Sequence, residues 1–267
     1  MKLRYGISLL VATALILSSP VCTAAATRAE QLNIVPLSTA SQAKENFQSV
    51  LSKSEDVGAH WFDDAVFIGD SISVYLSLKG GGEDGLGNAT FLVVGCYSTA
   101  NALAPVSNQS IHPPYQGVKM KTEDAIALCG AKKVYIMLGM NDIGMGLNRA
   151  IERYVEFIRL ILEKTPDAQI FVQSVTPMVK GSTSSGKLLN NTNISIFNEQ
   201  MKSLCRENGW YYVDVASILK DEEGYLRPEY CNDNPTMGIH LYPKVVPLWV
   251  EYLRTHTPKN LREANES

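Results

Sequence analysis

An α/β protein built on a parallel sheet is what this sequence predicts, and three observations carry the expectation. Apolar runs of strand length recur along the chain, segments with helical spacing separate them, and those segments are long enough to serve as crossover connections. The strand-like runs are Ala65–Gly69, Thr90–Val94, Lys133–Leu138, Gln169–Val175 and Trp210–Val213. Helical spacing marks Ser71–Leu78, Thr122–Leu128, Leu147–Glu163, Ile194–Glu207 and Val245–Thr255. Strands joined this way carry helices on both faces, so a three-layer α/β/α sandwich with five parallel strands follows. Ligands of such sheets sit beyond the carboxyl ends of the strands, which makes the residues directly after each strand the ones to read for chemistry.

The elements are justified in chain order. Residues 1–26 hold Lys2 and Arg4, an apolar run from Ile7 to Leu17, Pro20 and then small residues, the layout of a secretory signal peptide cut after Ala24 or Ala26. That run is shorter than the roughly 20 residues a bilayer needs. Cys22 makes a poor lipid anchor, because Pro20 and Val21 stand where small residues are expected. Residues 27–58 form a polar leader whose weak spacing at Phe47, Val50 and Leu51 predicts a helix. The globular domain then runs over 59–267, its apolar pattern starting at Trp61. Lys79–Asn88 holds five glycines and must be a loop. Thr122 with Glu123 and Asp124 reads as a helix cap followed by two acids that suit the dipole.

Composition narrows the functional classes. Hydrophobic residues make up 45% and charged residues 19%, which excludes a disordered chain or a coiled coil. A net charge of −3, falling to −5 once Lys2 and Arg4 are cleaved off, gives no electrostatic reason for a nucleic-acid partner. No other run is long enough to span a bilayer, so the expectation is a protein outside the cytoplasmic membrane without stable membrane insertion. Neither H-E-x-x-H, paired Cys/His spacing nor a phosphate-binding glycine loop is present, so neither a metal nor a cofactor is expected. Cleavage leaves Cys96, Cys129, Cys205 and Cys231. Cys129 and Cys205 fall among helix apolar positions, and a disulfide between Cys96 and Cys231 is conceivable after export.

The strand ends carry the chemistry. After the first strand comes Gly69-Asp70-Ser71, a serine at a strand-to-helix turn whose amide sits where an oxyanion can be held; the same position also suits an N-cap. After the second comes Gly95-Cys96-Tyr97, where a glycine admits a close ligand. After the third comes Gly139-Met140-Asn141-Asp142, with Asn141 either an amide donor or a turn residue and Asp142 expected to fix that turn. Late in the chain, Gly238-Ile239-His240 precedes the last long helix. His112 reads as part of a surface loop within the connection 98–121, which also holds Tyr115 and could line a cleft with Tyr97.

Taken together and in this order, these blocks resemble those of the SGNH (GDSL-type) hydrolases, over about residues 61–256. The resemblance implies a flavodoxin-like sheet and a serine ester hydrolase. It maps the nucleophile onto Ser71, the oxyanion donors onto Ser71, Gly95 and Asn141, and the general base onto His240. Expected export and the small, polar Lys79–Asn88 loop in place of an apolar collar point to a small-molecule or glycan ester as substrate, with acetyl esters of envelope or extracellular carbohydrate foremost; an O-acyltransferase and a lysophospholipase are the alternatives within the family. The family's aspartate three residues before the histidine is replaced by Met237. A Ser-His dyad with its imidazole held by a backbone carbonyl is therefore favoured over a displaced acid, for which Asp233 is the candidate if Pro235 and Gly238 fold the loop back. A non-catalytic glycan-binding module is the rival encouraged by that missing aspartate.

Overall fold

The computed structural model describes residues 47–182, 184–234 and 236–265, all within the compact unit Lys44–Ser267. Five strands form one wholly parallel sheet: β1 (Ala65–Gly69), β2 (Thr90–Val93), β5 (Lys133–Met137), β6 (Gln169–Gln173) and β7 (Tyr211–Val213), in the spatial order β2-β1-β5-β6-β7. Counting only these strands, the order is 2-1-3-4-5, that of flavodoxin-like folds. Every residue of β1, β5 and β7 is buried, as expected of strands covered on both faces.

The register of the sheet aligns one aromatic residue from each strand. Phe91, Phe67, Tyr135, Phe171 and Tyr211 are consecutive register partners across the whole sheet. Their rings stack with centroids 5.4, 4.6, 4.3 and 5.0 Å apart. Offset stacking at these distances adds to the burial of each ring and fixes register, because a one-residue slip would send the ring to the opposite face.

The helices divide between the faces. On the aromatic side lie α1 (Val74–Lys79), α7 (Val246–Thr255) and α8 (Lys259–Asn265); Trp249 of α7 donates to Gln173 Oε1 at 2.9 Å, and Tyr211 bonds Asn260. On the other side α2 (Thr99–Leu103), α3 (Thr122–Cys129) and α6 (Asn191–Asn208) pack against α5 (Leu147–Lys164), and Tyr154 of α5 donates to Ile136 O at 3.2 Å. A short helix, α4 (Met140–Ile143), follows β5 directly. The 98–121 connection contains α2 and a two-stranded hairpin, β3 (Pro114–Tyr115) with β4 (Val118–Lys119).

Several local expectations are corrected. The helix predicted from Phe47, Val50 and Leu51 does not form. Val50 bridges Tyr212 in parallel, Leu51 donates to Tyr212 O at 3.0 Å, and the Phe47 ring packs tilted against Tyr211 with centroids 5.1 Å apart, so this stretch extends the sheet edge instead. Thr122 is the first residue of α3 rather than its cap, and its hydroxyl pairs with Tyr97. His112 is buried beside Tyr97 instead of lying on the surface. The Cys96–Cys231 disulfide is absent: all four cysteines among the described residues are free thiols. Residues 1–26, most of the leader and Pro235 lie outside the described residues.

Candidate active site

The chain turns sharply after β1, and its sequence explains how. A Cβ on Gly69 would fall 2.2 Å from Ser73 Oγ, so glycine alone fits where the strand gives way to the 3-10 turn Ser71–Ser73. That turn is capped by Asp70, whose Oδ1 accepts the Ile72 amide at 2.9 Å. Ser71 is thereby released from capping, and its Oγ lies 3.0 Å from His240 Nε2.

His240 and Asp233 come from a loop clamped at its base. Cys231 bridges Leu241 in antiparallel fashion, Asn232 donates to His240 O at 2.9 Å, and Tyr242 donates to Tyr230 O at 2.8 Å. Within the loop Gly238 takes φ +71°, and a Cβ there would lie 2.3 Å from Val179 Cγ2. The fold-back carries Asp233 Oδ2 to 2.6 Å from His240 Nδ1. The arrangement present is therefore a carboxylate-held imidazole rather than the backbone-held dyad preferred from sequence. An ionised carboxylate only accepts, so Nδ1 carries the proton and Nε2 is left to accept from the Ser71 hydroxyl. The other carboxylate oxygen, Oδ1, accepts from the Ile239 and His240 amides at 3.0 and 3.2 Å and from Cys231 Sγ at 3.0 Å. Burial works upward on the Asp233 pKa, but the Cys231 thiol, the imidazole and the two amides outweigh it and hold the carboxyl below its ordinary value.

Gly95 and Asn141 occupy the ends of β2 and β5, on either side of β1 and at the point where the strand order reverses. Gly95 is exposed, and a Cβ there would meet no protein atom within 4 Å. Asn141 reaches back under the serine turn: its Nδ2 donates to Asp70 Oδ2 at 2.8 Å and to Tyr97 O at 3.1 Å, which engages both amide hydrogens. Burial pushes Asp70 up to about 6, the charge of Asp142 adds to this, and the Ile72 amide, His240 and Asn141 pull against it.

Asp142 does not fix its own turn as expected. Its carboxylate instead accepts from the Thr99 amide at 3.0 Å and the Thr99 hydroxyl at 2.6 Å, tying the end of β5 to the start of α2. Tyr97 is wholly buried, so its side chain does not line a cleft. Asp70 and Cys231 support the site in ways that sequence reasoning missed, and Asp142 supports it in a different way from the one expected. Only Asp70 left a usable signal, an aspartate two residues before the amide it caps. No group of His, Cys, Asp and Glu suited to a metal ion occurs among the described residues.

Known proteins share this fold. A structure from Streptococcus pneumonia, provisionally named a platelet activating factor, superposes with a TM-score of 0.53 at 19% identity, over 80% of this chain and 88% of that one. A GDSL-like lipase from Parabacteroides merdae gives 0.51 at 13% identity, over 76% and 95%. A lipolytic protein of the G-D-S-L family from Desulfitobacterium hafniense gives 0.50 at 14%, over 71% and 97%. At these identities the likeness is one of fold. No protein of curated function matches the sequence. The class defined by fold and comparison is that of the SGNH-type hydrolases. More particularly, residues 67–244 match the GDSL-like lipase/acylhydrolase family, and the chain belongs to it; the protein is an enzyme of the ester-hydrolase class.

Proposed function

We propose that this chain is an exported serine esterase that removes small acyl groups, acetyl foremost, from cell-envelope or extracellular carbohydrate. The observation that carries the reading is the unbroken hydrogen-bonded series Asp233–His240–Ser71 at the carboxyl end of the sheet. Ser71 Oγ attacks the ester carbonyl while its proton passes to His240 Nε2. The resulting oxyanion is held by the Ser71 and Gly95 amides and by Asn141, which turns one N–H away from Tyr97 O toward the new charge while Asp70 keeps the other. Collapse of this intermediate breaks the ester bond, and the imidazolium gives its proton to the departing sugar oxygen, which leaves as a hydroxyl. Water, deprotonated by His240, then attacks the acyl-serine, and collapse frees the acid while the imidazolium returns the proton to Ser71 Oγ. Asp233 keeps the imidazole oriented and balances its charge in both halves.

Export rests on the first 26 residues, whose removal would leave a mature chain of a leader followed by the hydrolase domain. No helix among the described residues is long and apolar enough to cross a membrane. Longer acyl groups are a second reading, favoured by large apolar side chains exposed close in sequence to the site residues: Met237, three residues before His240, and Met145, four after Asn141, at 45% and 46%. Initial rates across an acyl series from acetyl to decanoyl, with an O-acetylated glycan alongside, separate the two. The proposal expects the highest kcat/KM at acetyl and release of acetate from the glycan. A maximum at eight carbons or longer assigns the enzyme to lipids, and no turnover by wild type and Ser71→Ala alike leaves a binding module.

A further inference from the structure

Within this esterase reading, the family's usual acid position is taken by Met237, and the carboxylate arrives from seven residues away. A carboxylate brought in on so long a loop must be held in rotation as well as in place, because only one of its oxygens can face the imidazole. Asp233 Oδ2 does so, and Oδ1 is turned away onto three donors. Two of these are the amides of Ile239 and His240, which belong to the same loop and move with it. The third is the thiol of Cys231, outside the loop. Its backbone is fixed by the bridge to Leu241, and its side chain is 2% exposed.

We infer that Cys231 is a positioning residue for the displaced acid: its thiol anchors Asp233 Oδ1 to the rigid base of the loop and so aims Oδ2 at His240. The thiol suits the task because it is a donor throughout the working range. Burial and the neighbouring carboxylate push it up to about 11, so it stays protonated and does not set a second negative charge beside Asp233. A buried thiol of this kind is also a poor nucleophile and a poor metal ligand, which leaves donation as its chemistry. The same geometry accounts for the cysteine remaining free: a disulfide would remove the hydrogen that Asp233 accepts.

The test compares Cys231→Ala and Cys231→Ser in the full chain, each alone and combined with Asp233→Asn, by steady-state kinetics on an acetyl ester. A charge-assisted hydrogen bond of this type leads to a fall in kcat of about tenfold for Cys231→Ala with KM within about twofold. Cys231→Ser, which restores a donor, should recover most of that loss. In the Asp233→Asn background the Cys231→Ala step should cost less than about twofold, because the thiol acts through the carboxylate. A Cys231→Ala enzyme with unchanged kcat, an equal loss in both backgrounds, or a serine variant as impaired as the alanine variant overturns the inference. Absence of turnover in the wild type, or a Ser71→Ala variant as active as wild type, overturns the esterase reading instead.

Discussion

Asp70 is the residue on which the site's local energetics turn, because it caps the serine turn and anchors Asn141 while being 2% exposed. Its pKa rises from the usual 3.8 to about 6, chiefly through burial. A folded-state pKa above the unfolded one means that the bound proton stabilises the fold. This contribution is fully present below the unfolded value and is lost as pH climbs through the folded one. Relative to Asp70→Asn, the wild type should therefore lose on the order of 3 kcal/mol of unfolding free energy between about pH 3.5 and pH 7. Denaturant titrations of both proteins across that interval measure it, and a constant difference contradicts the assignment. Asp233 is the opposite case, held low by its donors and ionised at neutral pH. Asp233→Asn should reduce kcat by about 10²-fold or more. A loss below about tenfold, roughly 1.4 kcal/mol of barrier, would return the chemistry to a Ser-His dyad. Ser71 and His240, which lie 3.0 Å apart, are legible in the sequence because each sits in a short block directly after a strand or before a helix, and Gly95 and Asn141 are read as oxyanion donors from blocks of the same kind. The acid is legible only as the less favoured alternative, Asp233, because its approach depends on a loop fold-back rather than on spacing, and the Cys231 donor leaves no pattern at all.

Among the elements, the clamped loop 232–240 does the most to build the site. Gly238 is its pivot, with φ at +71° and no room for a Cβ between Val179 and Ser182. An alanine there meets both a left-handed backbone and a clash, so Gly238→Ala should destabilise the protein by about 2 kcal/mol or more and lower kcat further than it raises KM. Chemical denaturation with steady-state kinetics on the same variant checks this, and a variant of wild-type stability and rate refutes it. The five strands and the five long helical segments were readable from apolar runs and helical spacing. The elements that escaped are short: α2, α4, α8 and the β3–β4 hairpin have too few residues to establish a period, and tertiary contacts decide them. The failure at Phe47–Leu51 has the same cause. Three apolar residues fit a helical stripe, but the free edge of β7 offers backbone partners and a ring to pack against, and that wins.

At the scale of the whole molecule, the parallel sheet explains both the apolar content of the chain and the confinement of its chemistry to one end. Strands buried on both faces consume hydrophobic residues, and the stacked row from Phe91 to Tyr211 is continued outward by Phe47. Residues upstream of Trp61, where the apolar pattern starts, thus take part in the fold. Relative to a chain starting at residue 47, one starting at residue 59 should lose about 2–4 kcal/mol, from Leu51 burial, the edge hydrogen bonds and the Phe47 ring contact. Thermal and urea unfolding of the two truncations decide this, and equal stability refutes it. The central claim, that Ser71 is a nucleophile activated by His240, is tested most directly by a fluorophosphonate that phosphonylates only activated serines with loss of fluoride, followed by peptide mass spectrometry. One adduct, on the peptide bearing Ser71, lost in His240→Ala and slowed in Asp233→Asn, is the predicted result; a wild-type protein left unlabelled, or labelled on another serine, would contradict it.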